Sequence, residues 1–353
     1  MDVHSKQWHS YHRLNLEKRK GMRVERLIRR QNRTKHIQVP AVMHFFENYR
    51  ITVEFIDSIK RLVFQENKFV YLDFSNCEKI SSEACVVLAA EIDRCKRKRP
   101  YSVTGSYPKK FSVYYSLNEL GFFKMLNISS PEPTFGDSSK IDVVKLKSGK
   151  EFERDYPENL MKDIKRLFYR ENGNESVTSY SRNIYRALTE AAYNSVEHAY
   201  PQSFRDKEKK TCIPIWWRAG FKIKENNKVV VVLYDQGVGV PNTLDTNWKE
   251  QLRELSFALK REPYDHEKID LAMKPGRSRT RSKWRGKGSH CMQSIIRENS
   301  DGLLNIFSYN GRYVYSSDEK WEIKSLDYSL GGTLIMWQVS LDRHGRGSNE
   351  EDN

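Results

Sequence analysis

Glu190, Asn194 and Glu197 stand four and then three residues apart in ALTEAAYNSVEHAY, residues 187–200. At about 100° per residue, Asn194 sits ~40° and Glu197 ~20° around a helix from Glu190, so the three share one face. Ile184, Leu188, Ala192, Ser195 and Ala199 fall near the opposite side, where small apolar residues suit packing against a sheet. The chemistry available to such a stripe is that of oxygen. Asn194 brings an amide oxygen and Glu190 a carboxylate to that face. His198 reads as a structural hydrogen-bond partner and Glu197 as a supporting acid.

Two glycine patterns follow in order. NKVVVVLYDQGVGVP reads as a buried strand that ends at Asp235 and turns through Gly237 and Gly239. Glycine permits positive φ and close approach to a ligand, and an aspartate at a strand end can accept a hydrogen bond from an exocyclic amine. Gly286 and Gly288 lie in RGKGSHCMQSIIREN, just ahead of a helix, whose free amides form an anion site. Between them, Arg277, Arg279, Arg281, Lys283, Arg285 and Lys287 alternate with other residues, and no acid intervenes. If extended, all six cations face one way, an array suited to phosphates.

The elements that must position these groups fall into two units. Residues 37–128 read as α/β. FVYLDF (69–74) is a strand and SEACVVLAAEIDRCKRKR (82–99) a helix with its cations at the C-terminal end. YSVTG is a second strand, and KKFSVYYSLNELGFF a second helix stopped near Gly121. Residues 129–154 read as linker, beginning within the Ser/Pro/Gly-rich NISSPEPTFGDSSK (127–140). Residues 155–342 read as helices up to Tyr200, the strand in NKVVVVLYDQGVGVP, a polar middle stretch, and two strands in LLNIFSYNGRYVYSS and LGGTLIMWQVS. That order describes a layered α+β unit. Residues 1–36 form a basic arm of eleven Lys/Arg against Asp2, Glu17 and Glu25, and 343–353 a polar tail.

The later segments resemble the GHKL (Bergerat-fold) ATP-binding module shared by DNA gyrase, Hsp90, sensor histidine kinases and MutL. TEAAYNSVEHAYP is similar to the helix of the anti-sigma serine kinases within that superfamily. The resemblance implies a two-layer α/β sandwich binding ATP and Mg²⁺. Glu190 would be the general base and Asn194 the Mg²⁺ ligand. Asp235 would recognise adenine, with Gly237 and Gly239 shaping its pocket and Thr333 assisting through a water. Gly286, Lys287 and Gly288 would belong to the lid over the phosphates. Two departures stand out: Ser289-His290 replaces the usual Leu-Gly, and no lysine follows from a later domain.

The first unit resembles the STAS domain of anti-sigma factor antagonists. Asp73 and Ser75 match its strand end, and Ser82 its phospho-acceptor. Ser81 replaces the preceding aspartate and Glu83-Ala84 the following Ser-Gly, and a helix cap is the alternative role for Ser82.

Hydrophobic content of 38% with 12% aromatic residues can fill real cores and excludes wholesale disorder, while the net charge of +15 suits acidic partners or nucleic acid. No apolar run is long enough to span a membrane, and no secretory signal is present. Cys77, Cys85, Cys95, Cys212 and Cys291 show no metal-like pairing, as expected of thiols in the cytoplasm. The functional expectation is a cytoplasmic regulatory protein with kinase or slow ATPase activity, coupled to the STAS-like unit and to a regulatory protein partner. An ATP-gated interaction switch and a nucleic-acid-associated ATPase using the basic arm and lid are the alternatives, and homodimerisation is left open.

Overall fold

The computed structural model describes residues 33–129, 141–150, 156–168, 176–274 and 288–341. Strands β1 (Thr34–Gln38) and β2 (Val42–Met43) lead into helix α1 (Tyr49–Lys60), which continues as a wider turn over Arg61–Gln65. Then come β3 (Phe69–Asp73), β4 (Lys79–Ile80), α2 (Ser82–Lys98), β5 (Val103–Gly105), α3 (Phe111–Leu120) and α4 (Phe122–Met125). β1, β3 and β5 form a parallel sheet in that order, and β2 pairs with β4. Local rules account for the ends. Lys96, Arg97 and Lys98 occupy the last turn of α2, where cations oppose the helix dipole. α3 stops at Gly121, whose φ of +83° is the left-handed cap conformation.

The second part contains β6 (Ile141–Gly149), α5 (Tyr156–Phe168), α6 (Ser176–His198), α7 (Gln202–Lys207), β7 (Trp216–Ile223) and β8 (Lys228–Asp235). It continues with α8 (Gly239–Asn247), α9 (Lys249–Leu259), α10 (Asp265–Met273), α11 (Gly288–Arg297), β9 (Leu303–Ser308), β10 (Gly311–Ser316), β11 (Trp321–Ser325) and β12 (Thr333–Ser340). Seven strands make one sheet, in the order β11-β10-β9-β12-β8-β7-β6, with every neighbouring pair antiparallel. The chain is therefore of mixed helix-and-strand class.

Three expectations change. Ile141–Gly149, inside the stretch read as linker, is a nine-residue strand paired along β7. LLNIFSYNGRYVYSS is a hairpin of two strands rather than one, turning at Tyr309 with φ +52°. The polar middle stretch contains three helices, α8 to α10.

Both faces of the large sheet are covered. Val229, Val231 and Leu233 of β8, with Ile335 and Trp337 of β12, pack against Leu160, Ile184, Leu188 and Ile295 of the helices α5, α6 and α11. Val230, Val232 and Tyr234, with Trp217 and Met336, belong to one buried cluster with Val39, Phe45 and the apolar side of α2. The N-terminal segment thus shares its core with the sheet. This is why β8 is apolar at every position from Val229 to Tyr234 instead of alternating. Among the described residues no helix is long and apolar enough to cross a membrane.

Candidate functional site

α6 sorts its residues as its spacing predicts. Ile184, Ala187, Leu188, Ala191 and Ala192 pack into the core against the sheet, and Ser195, with Ala199 just past the helix, is buried as well. Glu190 and Asn194 are half-buried, whereas Glu197 and His198 are exposed. Burial raises the Glu190 carboxyl above the ordinary carboxylate range, and the charge of His198 opposes that shift. Residues with little bulk between the stripe and the sheet let the helix lie close to β8.

Asp235 ends β8 on the same side of the sheet as α6, opposite Thr333 of β12 and Trp216 of β7. Thr333 in turn pairs with Ser308 of β9, so Asp235, Thr333 and Ser308 form a polar row across three strands. All three are buried. Ser308 Oγ donates to the Gly332 carbonyl at 2.7 Å, accepts from the Val240 amide at 3.0 Å, and lies 3.3 Å from Thr333 Oγ1. The carboxyl of Asp235 accepts from the Gly237 amide at 2.9 Å and from the Thr333 amide. Burial nevertheless pushes its pKa up to about 7. Ser308 was not read from sequence. Only its place directly before the hairpin turn, in register with Thr333 at the start of β12, could have flagged it.

The glycines have protein neighbours. A Cβ at Gly237 would stand 2.2 Å from the carbonyl oxygen of Ala199, at the end of α6, which also accepts from the Val238 amide at 2.8 Å. Gly239 has φ +72°, and a Cβ there would meet Ser308 Oγ at 2.6 Å. The DQGVG turn therefore clamps the end of the α6 stripe to the polar row. Gly237→Ala is expected to cost at least about 2–3 kcal/mol through that backbone clash, read as a lower urea midpoint. An unchanged midpoint would show that the turn is not held this tightly.

α11 begins at Gly288 and packs along α6 in the antiparallel sense. Its C-terminal end is fixed by Tyr180 Oη donating to the Glu298 carbonyl (3.0 Å) and by Asn183 Nδ2 donating to Glu298 Oε2 (2.6 Å). Ten residues of helix rise ~15 Å, as does the run from Asn183 to about Tyr193, so the free amides of α11 lie alongside the Glu190–Asn194 stripe. The fold thus brings Glu190, Asn194, Asp235, Gly237, Gly239, Thr333 and Gly288 to one end of the sheet. Gly286, Lys287 and the alternating cations at 277–285 lie outside the described residues, as do residues 1–32 of the basic arm and the tail at 343–353.

Ser82 is the first residue of α2 and half-buried, with Ser81 at the cap position and no side-chain cap bond. Because α2 covers the other face of the sheet, Ser82 and Glu190 lie on opposite sides of it. Asp73 accepts from the Ser75 amide and from Ser106 Oγ, which hold its carboxyl below the usual range. An open cavity of about 560 Å³ between α5 and α6, lined by Glu158, Met161, Lys162, Lys165 and Tyr185, contains none of the residues singled out from sequence.

Chemically, the grouped residues offer a buried acceptor at the sheet end, an amide oxygen and a half-buried carboxylate on α6, and helix-terminal amides facing them. Among the described residues no three His, Cys, Asp or Glu side chains cluster closely enough to hold a metal. A cation at this site would depend on Asn194, a ligand's phosphates and water. No family model matches the chain, and no curated protein matches it.

Proposed function

We propose that the chain binds ATP with Mg²⁺ between α6, the Asp235 turn and the start of α11, as a GHKL-type module coupled to a STAS-like N-terminal unit. The observation that carries the reading is Asp235. A buried carboxylate served, among the described residues, by two backbone amides is short of donors, and an exocyclic amine supplies one. Thr333 and Ser308 extend that floor. Asn194 would hold Mg²⁺, whose chemistry when bound is to neutralise phosphate charge. Glu190 is the base for a water or hydroxyl, and the α11 amides receive phosphate oxygens.

The activity is phosphoryl transfer to a protein serine or slow hydrolysis of ATP in a cytoplasmic regulatory setting. Since Ser82 stands across the sheet from Glu190, Ser82 of the same chain is not the acceptor in this reading. Calorimetric titration tests the binding step. Wild type should bind MgATP, and Asn194→Ala should bind it at least tenfold more weakly while losing the dependence on Mg²⁺. If wild type gives no heat and no competition with a labelled adenine nucleotide, the proposal fails.

A further inference from the structure

The residue after Asp235 reaches through the sheet. The Gln236 amide N–H donates to Tyr200 Oη at 2.9 Å, and Tyr200 Oη donates to the Ile215 carbonyl at 2.6 Å, which locks the backbone of the turn. The Gln236 side chain crosses to the other face and donates from Nε2 to Glu91 Oε2 of α2 at 3.3 Å. Glu91 is buried and ion-paired with Arg94, itself buried. Cys95 Sγ lies 3.8 Å from Glu91 Oε1. Gln236 Oε1 is buried without a hydrogen-bond partner. Glu91 thus gives Gln236 a hydrogen bond from the helix on the far face, beside the one its side chain makes with Tyr234.

A second handle leads to the same floor. Tyr49 Oη of α1 donates to the Tyr328 carbonyl at 3.0 Å, and Tyr328 Oη donates to Asp57 Oδ2 at 3.3 Å. Leu326, Tyr328 and Leu330 pack on the N-terminal core. That loop runs into Gly332, where a Cβ would stand 2.0 Å from the Asp235 carbonyl oxygen, and then into Thr333. The N-terminal segment thus grips both residues of the pocket floor, Asp235 through Gln236 and Thr333 through the 326–332 loop.

From this arrangement we infer that Glu91, on the far face of the sheet, is a positioning residue for the nucleotide pocket: it holds the Asp235 turn through Gln236, so nucleotide affinity and the seating of α2 on the sheet are linked. The inference rests on the ATP reading of Asp235. It gives the N-terminal unit a defined influence on the site, because any partner that shifts α2 changes the turn. Linkage is reciprocal, so nucleotide must tighten α2 by the same factor.

Three measurements on the full chain test it. Gln236→Ala should weaken MgATP binding about tenfold while the thermal midpoint moves little, a split that a purely structural role would not give. The double variant Glu91→Leu/Arg94→Met removes the ion pair and the acceptor together while keeping apolar bulk, and it should weaken MgATP binding about as much as Gln236→Ala. In wild type, MgATP should slow hydrogen exchange of amides in residues 82–98 and 326–332. The linkage is overturned if wild type binds MgATP but exchange in both segments is unchanged, or if Gln236→Ala binds as tightly as wild type. Should Gln236→Ala fail to fold, the exchange result on wild type decides alone. If wild type binds no nucleotide at all, the ATP reading falls and this inference with it.

Discussion

Asp235→Asn is expected to leave the protein more stable at pH 8 and unable to hold MgATP. Burial pushes the Asp235 carboxyl up to about 7, against about 3.9 in an unfolded chain. The folded state therefore prefers the neutral acid. Its favourable contribution is complete below about pH 4, declines as pH rises, and is lost above about 7. Three units correspond to about 4 kcal/mol of penalty at pH 8, taken as an upper figure. Asparagine carries no charge to bury but offers one oxygen to the two amides of Gly237 and Thr333, so about 1–3 kcal/mol of gain is a reasonable expectation. The gain should shrink toward zero at pH 4–5, where wild type is largely neutral as well. ATP should show the opposite preference. An amine donating to Asp235 favours the ionised carboxylate, so wild-type affinity should rise with pH between about 6 and 8, and the variant should lose about a hundredfold. Urea unfolding at pH 5 and pH 8, paired with calorimetry, checks both signs. A merely structural Asp235 would give a variant less stable at pH 8 with nucleotide binding unaltered, and that result would sink the assignment.

The parts of the molecule that could be read in advance were those in which one residue does one job. The α6 stripe was legible because a 3.6-residue period sorts Glu190 and Asn194 from Leu188 and Ala192 whatever lies beneath. Strand β8 was legible from four consecutive valines, although not the reason for them, which is that α2 covers its second face. β7 was missed because Trp216 and Trp217 are buried on opposite faces while Arg218 and Lys222 interrupt the run, so no alternation survives. β6 hid in a linker-like context because it is an edge strand with Lys145 and Lys147 on it, a usual way of blunting an edge. Ser308 and Gln236 were invisible for another reason. Their roles come from register and from contact across the sheet, and neither leaves a spacing in the sequence.

Glu190→Ala is expected to separate binding from turnover. The side chain stands one turn before Asn194, half-buried, with its carboxyl raised by burial. A base so placed is protonated over a wider acidic range than an exposed glutamate. The rate of ATP consumption should therefore fall on the acid side at a pH above the ordinary carboxylate range. Removing the base should lower turnover by about 10²–10⁴-fold, while MgATP affinity stays within about threefold because Asp235, Asn194 and the α11 amides are intact. Glu190→Gln should behave alike, since an amide cannot accept the proton. Release of labelled phosphate and label transfer to protein, each measured beside calorimetry, distinguish the outcomes. Undiminished turnover in Glu190→Ala removes Glu190 from catalysis. A wild type that binds MgATP but neither hydrolyses nor transfers it points instead to nucleotide as a gate. In that case the Gln236–Glu91 contact still carries the consequence of binding, because it depends on how the Asp235 turn is held and not on whether the γ-phosphate leaves.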